Sequence, residues 1–364
     1  MKQFINGIQR YKHRLATVAL IVGFFVDIIT FRNLDLNYSL ILLSAHLFIV
    51  AFTIIILSIP FDLSSTEDEK PSFFASVRSW LPVLQQYSMG NLLSAFLILY
   101  SASSSLIASW PFLALVAIAA IGNETLRLQK YRLPFQTSLF FLNLILFLAL
   151  LSPVLMGSIT VATFLISLLF SILIFSIFRR LLWLVTRDVF QEHKKRINGG
   201  AFVTITLIVV LYFVNIIPPI PLTLKNINFY YDVLREGTEY VVRDTERNFF
   251  DYFNLRGKTL ALTSGQAAYV YTAVFAPARL DTQVVHRWEY RNPETGGWVT
   301  KNVVDFPISG GRRGGYRGYS LTENPTPGVW RVSVETLRGQ VIGRSYVTIK
   351  RTNSSLATSR FRVE

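Results

Sequence analysis

The chain has 364 residues, of which 51% are hydrophobic and only 16% charged, and its mean hydropathy is +0.41. This is more apolar surface than one soluble core uses, so part of the chain is expected in lipid. The absence of cysteine excludes disulfides, thiol catalysis and thiolate metal ligands. The net charge of +14 comes without a nucleic-acid recognition motif, and nucleic acid is therefore not an expected partner.

Seven apolar segments predict an α-helical transmembrane bundle of about seven helices in residues 1–220. A crossing needs about 20 residues, and most of the segments reach that length. The third and fourth segments share residues 91–122, which are enough for two short spans or for one re-entrant hairpin. The segments are 15–31, 38–59, 91–108, 110–122, 135–155, 158–178 and 201–217.

Lys and Arg are concentrated before the first segment and in every second loop after it, whereas the intervening turns contain only Arg32. Because cytoplasmic loops retain such cations, the pattern places the N-terminus in the cytoplasm and everything after Pro218 outside it. Two of the basic loops, 73–84 and 181–189, have apolar residues at helical spacing. They are expected to lie in the headgroup region or to bind a cytoplasmic partner.

Residues 221–350 follow a proline-rich exit from the last span, and their hydrophobic pattern has a period of two. Short strands separated by Gly, Pro, Asn and Asp predict an all-β, antiparallel, immunoglobulin-like sandwich. Residues 351–364 are expected to be a flexible polar tail. The predicted strands are 227–234, 239–243, 259–263, 267–275, 283–291, 298–306, 317–321, 329–336 and 340–349.

Four short motifs in the β-rich part occur in one order along the chain. They are His286-Arg287-Trp288, Phe306-Pro307-Ile308 leading into Gly310-Gly311-Arg312, Tyr316-Arg317-Gly318-Tyr319-Ser320, and Gly328-Val329-Trp330-Arg331-Val332. Together they resemble the bacterial domain of unknown function 2914, and Ile217–Leu224 followed by Phe229–Val233 resembles the approach seen in its membrane-attached members. The resemblance implies a bacterial origin and an envelope setting. With the topology above, we therefore expect a protein of the bacterial inner membrane whose β-rich domain is periplasmic or extracellular. The resemblance implies no activity and no catalytic residue.

A glycine-rich and arginine-rich segment stands out in the same region. Arg312, Arg313 and Arg317 are suited to gripping phosphate or carboxylate, and Tyr316 and Tyr319 are suited to stacking on a sugar. These five residues are the candidate ligand site, and an anionic envelope glycan or lipid is the candidate ligand. The alternative is an ordinary turn whose arginines are solvated.

Ionisable residues within the predicted spans are few, and a charge at membrane depth is costly enough to suggest function. Asp27 and His46 are expected at similar depths, where they form a hydrogen-bonded pair or a proton relay. The alternative places Asp27 near the outer interface and gives His46 one interhelical bond. Polar side chains such as Asn143 allow either close helix packing or a polar path.

No Ser-His-Asp set, metal-ligand spacing or phosphate-binding loop is discernible, so neither a catalytic residue nor a metal or cofactor is predicted. The period of two puts His286 and Trp288 on one face of a strand and Arg287 and Glu289 on the other. We expect a non-catalytic protein that binds an envelope component or a partner protein. The alternative is a lipid-handling or small-molecule protein whose bundle is active, with Asp27, His46, Ser104 and Asn143 around one cavity.

Overall fold

The structure is a computed structural model that describes residues 36–60, 73–103, 105–125, 129–237, 239–245, 258–277, 280–311, 314–353 and 359–363. The chain divides into two compact units. The first unit contains most of the helical residues up to Val214. The second contains the β-rich region from Asn215 onward, together with two interhelical segments, 102–109 and 153–159.

The described residues form six helices, where about seven were predicted, and the first predicted span, 15–31, lies outside them. Four of the six contain a stretch long and apolar enough to cross a membrane: Leu36–Ser58, Leu133–Met156, Val161–Val185 and Arg187–Phe213. The apolar part of a fifth helix, Ala108–Asn123, is shorter. The helices are α1 (Leu36–Ser58), α2 (Phe73–Ala102), α3 (Leu106–Thr125), α4 (Gln129–Met156), α5 (Val161–Val185) and α6 (Arg187–Phe213).

The two basic loops are helical extensions rather than separate interfacial helices. Helix α2 runs from Phe73 through Pro82 into the predicted third span, so residues 73–84 belong to one long helix. Residues 181–189 are divided between α5 and α6, which meet at Thr186. The predicted third segment, 91–108, therefore begins in the middle of α2. Gln85, Ser88 and Asn91 are polar residues in this helix, and they lower the hydropathy of its first part.

Helix α4 is the central helix of the first unit. Its apolar window is 67% buried, against 28–39% for the other three candidate spans. Phenylalanines fill one side of it: the Phe141 ring stacks on Phe175 at 4.2 Å, and Phe140 lies 4.7 Å from Phe178. The outer sides of α5 and α6 expose long apolar side chains, as helices in contact with lipid do.

The β-rich region contains eleven described strands in three sheets. The first sheet has the order β1-β5-β8, the second β4-β10-β9-β6-β7, and the third β11-β3-β2. The strands are β1 (Thr223–Tyr230), β2 (Asp232–Glu236), β3 (Glu239–Thr245), β4 (Lys258–Leu262), β5 (Ala268–Phe275), β6 (Asp281–Arg291), β7 (Trp298–Ser309), β8 (Tyr316–Thr322), β9 (Gly328–Thr336), β10 (Val341–Arg351) and β11 (Ser359–Val363).

The first and second sheets pack face to face, with Trp288 and Trp330 of the second against Phe229 and Val270 of the first. This arrangement is a sandwich, but the predicted immunoglobulin-type topology is not confirmed. Strands β4 and β10 are parallel, and a third sheet is present among the described residues. Residues 359–363, which were predicted as part of a flexible tail, form β11 and pair with β3.

Candidate functional site

The glycine-rich segment between β7 and β8 begins as a tightly held turn. The Gly310 N–H donates to the Leu280 carbonyl at 2.9 Å, and the Gly311 N–H donates to the Ala276 carbonyl at 3.1 Å. A Cβ atom at Gly310 would lie 1.6 Å from the Pro277 carbonyl oxygen, so only glycine fits there. Arg312 and Arg313 lie outside the described residues.

Tyr316 and Tyr319, which were predicted to stack on one ligand, lie on opposite faces of strand β8. It is an edge strand of its sheet, and Gly318, Ser320 and Thr322 face the core. Tyr316 has the same parity and packs against the core, so its predicted stacking role does not fit its position. Arg317 and Tyr319 lie on the opposite face of the strand.

Tyr319 belongs to a group of tyrosines that are far apart in the sequence and come together only in the fold. Its ring lies 6.1 Å from that of Tyr240 on β3 and 6.3 Å from that of Tyr269 on β5. The Tyr240 hydroxyl donates to the Arg317 carbonyl at 3.1 Å, which joins the third sheet to β8. Tyr240, Tyr269, Arg317 and Tyr319 are called the tyrosine face below.

The tyrosine face is partly open to solvent and is bordered by charged groups. Tyr319 is 38% exposed, whereas Tyr240 is buried beneath it. Burial and the neighbouring Asp232 carboxylate raise the pKa of Tyr269, so its hydroxyl stays protonated at neutral pH. The Arg243 Nε atom is buried and has no hydrogen-bond partner among the described residues, and the Arg235 guanidinium lies 6.0 Å from the centre of the Tyr240 ring.

A signal for this face was present in the sequence. Tyr269 and Tyr271 are two residues apart on β5, which places both on the face opposite Val270. What the sequence did not show is that β3 lies above that face. The partner strands are recognisable only once the sheet order is known.

His286 and Trp288 lie on the same face of β6, as predicted, and that face is the centre of the sandwich. Trp288 Nε1–H donates to Ser320 Oγ, His286 Nδ1 is 2.9 Å from Ser320 Oγ, and His286 Nε2 is 2.9 Å from Thr272 Oγ1. Burial lowers the pKa of His286 to about 3, which keeps the imidazole neutral. These groups are fully enclosed and hold the two sheets together.

The other face of β6 carries ion pairs across the sheet. Glu289 accepts two hydrogen bonds from Arg331, at 2.6 and 2.9 Å, and Glu335 accepts one from Arg287 at 2.9 Å. Burial raises the pKa of Glu335. The separation of Arg287 and Glu289 from His286 is therefore confirmed, and the pairs connect β6 to β9.

The polar residues of the helical unit make separate contacts. His46 Nε2 lies 3.4 Å from Asn91 Nδ2, whereas the Asn143 amide contacts Met89 Sδ at 3.1 Å. Positions 89 and 91 are about 200° apart around a helix at 100° per residue, so these contacts lie on opposite sides of α2. This favours packing over a shared polar cavity. Asp27 and Ser104 lie outside the described residues.

Within the described part of the chain, no group of three or more His, Asp or Glu side chains has the arrangement of a metal site. The described residues therefore contain apolar helices, four of which are suited to crossing a membrane, and a β-rich region that follows them. The β-rich region has a partly exposed aromatic surface, the tyrosine face. The surface offers stacking and hydrogen-bonding groups.

Residues 281–349 match the model of a family described as a protein of unknown function, DUF2914, which confirms the resemblance drawn from the motifs. The matched segment runs from β6 almost to the end of β10 and includes Arg317 and Tyr319. A search of curated proteins finds no significant match.

Two solved structures illustrate the similarities, and both are distant. A β-glucosidase from Listeria innocua in complex with gluconolactone is 12% identical with a TM-score of 0.19, and the match covers 32% of this chain and 17% of that protein. The alkylpurine DNA glycosylase AlkC of Pseudomonas fluorescens, bound to DNA containing an abasic site analog, is 9% identical with a TM-score of 0.21, covering 84% and 97%. Scores this low say nothing about fold or function.

Proposed function

We propose that this chain is a non-catalytic protein of the bacterial inner membrane that binds an anionic envelope glycan or lipid on the outer side. The helices anchor it with the N-terminus in the cytoplasm, and the β-rich region is periplasmic or extracellular. The observation that carries the proposal is the tyrosine face, where the exposed ring of Tyr319 lies beside two other tyrosines and shares a strand face with Arg317.

Two interhelical segments that belong to the second compact unit support the proposed orientation, in which the β-rich region lies outside the cytoplasm. Residues 102–109 and 153–159 contain no charged residue, and both belong to the unit that holds the β-rich region. The Asp281 N–H donates to the Gly157 carbonyl at 3.1 Å, and Ser103 Oγ lies 3.4 Å from Thr223 Oγ1. Loops poor in Lys and Arg are those that cross the membrane during insertion.

The chemistry of the tyrosine face suits a sugar that carries acid groups. Tyrosine rings offer a flat apolar surface with a polar edge, and they lose little conformational freedom when they bind. Arg317 supplies a guanidinium that can pair with phosphate or carboxylate in a two-point contact. Arg312 and Arg313 precede the same strand in sequence.

The test uses the full-length protein in detergent and a fluorescent oligosaccharide that carries phosphate groups, with its dephosphorylated form as a comparison. We expect binding that weakens as salt rises, because exposed charges are screened over about 10 Å at 0.1 M salt. Arg317→Gln should weaken binding of the phosphorylated probe by about tenfold, or 1.4 kcal/mol. Tyr319→Ala should weaken binding of both probes, because it removes the stacking surface.

Arg291→Gln is the matched control, since Arg291 is an exposed arginine at the end of β6 in the second sheet. It removes the same charge and should leave binding unchanged. If Arg291→Gln and Arg317→Gln have equal effects, attraction is general and the tyrosine face is not the site. If neither probe binds, the proposed ligand class is wrong.

A further inference from the structure

An open cavity of about 370 Å³ lies between the end of α5 and the beginning of α6. Its lining contains Arg179, Arg180 and Lys194, together with the aromatic rings of Trp183 and Phe190. Among the residues that the structure describes, no acidic side chain lines it. Three cations around one cavity, without a carboxylate, form a site that favours an anion.

Helices α5 and α6 are antiparallel neighbours, which fixes the depth of the cavity. At one end, the Tyr212 ring stacks on Phe164 at 3.5 Å. At the other end, the helices meet at Thr186. Arg179 lies 18 residues after Val161 and Lys194 lies 19 residues before Phe213. At 1.5 Å per residue, both distances along the helix axes are about 27–29 Å.

That distance is close to the roughly 30 Å thickness of the hydrocarbon core of a bilayer. When the Phe164 end of the helix pair lies at one surface of the hydrocarbon, the cations of the cavity therefore lie at the level of the opposite headgroups. The side chains of Ile177, Leu181 and Leu184 next to the cavity are exposed and apolar. They provide the surface that acyl chains below a headgroup would contact.

Of the lining cations, Arg180 contacts an aromatic ring of the same cavity, and Arg179 is partly buried. Two guanidinium groups lie over the Trp183 ring, that of Arg180 at 5.9 Å and that of Arg187 at 5.7 Å. Arg179 Nε is buried and has no hydrogen-bond partner among the described residues. A buried guanidinium donor without a partner is costly, and a phosphate oxygen in the cavity would satisfy it.

We propose that this cavity binds the phosphate group of an anionic phospholipid. Basic pockets between membrane helices bind such headgroups through the same combination of charge and hydrogen bonding. The inference does not depend on the tyrosine face, because the two sites are in different units of the chain.

The experiment is native mass spectrometry of the full-length protein titrated with phosphatidylglycerol, with phosphatidylcholine of the same acyl chains as a comparison. The test variant carries Arg180→Gln and Lys194→Gln, both at exposed positions where folding should be unaffected. We expect it to lose at least about tenfold in affinity for phosphatidylglycerol, given the contribution of each cation at a membrane surface.

The control variant carries Lys195→Gln and Arg196→Gln, which removes the same charge from exposed positions outside the cavity lining. It should bind like the wild type. Equal losses in the two variants would overturn the proposal, as would equal binding of the two lipids by the wild type. Inorganic phosphate is added in a third arm, and displacement of the lipid by millimolar phosphate would identify a site for free phosphate instead.

Discussion

The neutral histidine inside the sandwich predicts how the β-rich region responds to acid. Trp288 Nε1–H can only donate, and Ser320 Oγ accepts its hydrogen bond, so the Ser320 hydroxyl can donate to His286 Nδ1. His286 Nε2–H can then donate to Thr272 Oγ1. The Thr272 hydroxyl in turn can donate to the Gly318 carbonyl, 3.4 Å away. Every polar group is then satisfied with the imidazole uncharged. Thr272, Ser320 and the Phe306 ring at 4.8 Å offer no compensating charge.

The sign and size of the effect follow from the two pKa values. His286 has a pKa of about 3 in the folded protein and an ordinary value of 6.5 when unfolded, so the unfolded chain binds one more proton between these pH values. Stability is therefore lost as pH falls from 6.5 toward 3, with a limiting slope of about 1.4 kcal/mol per pH unit. Between pH 7.5 and 5 the loss from this residue is about 2 kcal/mol.

The assay is urea unfolding of the full-length protein in detergent, followed by tryptophan fluorescence at several pH values. Three of the six tryptophans, Trp80, Trp110 and Trp183, are first replaced by Phe, so that the remaining three report on the β-rich region. His286→Gln should remove the acid-dependent slope whatever it does to the stability at neutral pH.

Other titrating groups, including Glu335, contribute equally to the pH dependence of the wild type and of His286→Gln. The difference between the two slopes therefore reports on His286 alone. The matched control is His193→Gln, which removes a histidine from α6, outside the β-rich region on which the remaining tryptophans report. Equal slopes in the wild type and His286→Gln would refute the reasoning, since His286 would then titrate alike in the folded and unfolded states.

Three further predictions concern the turn, the buried network and the topology. Gly310→Ala should prevent accumulation of folded protein in expression trials, because its Cβ has no space, whereas Gly314→Ala has open space and should accumulate normally. Ser320→Ala should lower the free energy of unfolding of the β-rich region by about 2–4 kcal/mol in the same urea assay, because two buried polar groups lose their partner. A cysteine introduced at Glu294 should react with an impermeant thiol reagent in intact cells and one at Gln191 should not, and the reverse result would contradict the proposed orientation.

The strands could be predicted from the sequence because the alternation of apolar and polar residues is a local property. Each of the nine predicted strands overlaps an observed one, since period-two burial is visible within five to ten residues. The predicted strand 227–234 is the instructive exception. It is divided at Tyr231, because β1 pairs with β5 in one sheet and β2 pairs with β3 in another.

The helical part was predicted less well, for a related reason. Hydropathy identifies apolar windows, and it located the four stretches suited to crossing a membrane. It does not show where a helix begins or ends, because backbone hydrogen bonds continue through polar residues. Helix α2 therefore includes Gln85 and Asn91 and extends well beyond the predicted segment.

By itself the sequence predicted the apolar helices suited to crossing a membrane, the strand-rich C-terminal region, the family resemblance and two members of the tyrosine face, Arg317 and Tyr319. These follow from composition, periodicity and local motifs. Only the tertiary structure decided that Tyr240 and Tyr269 join them, and that Arg179 and Lys194 face one cavity. Such groupings depend on pairing between distant segments, and the free energy that selects one pairing comes from packing across the whole unit rather than from any local stretch.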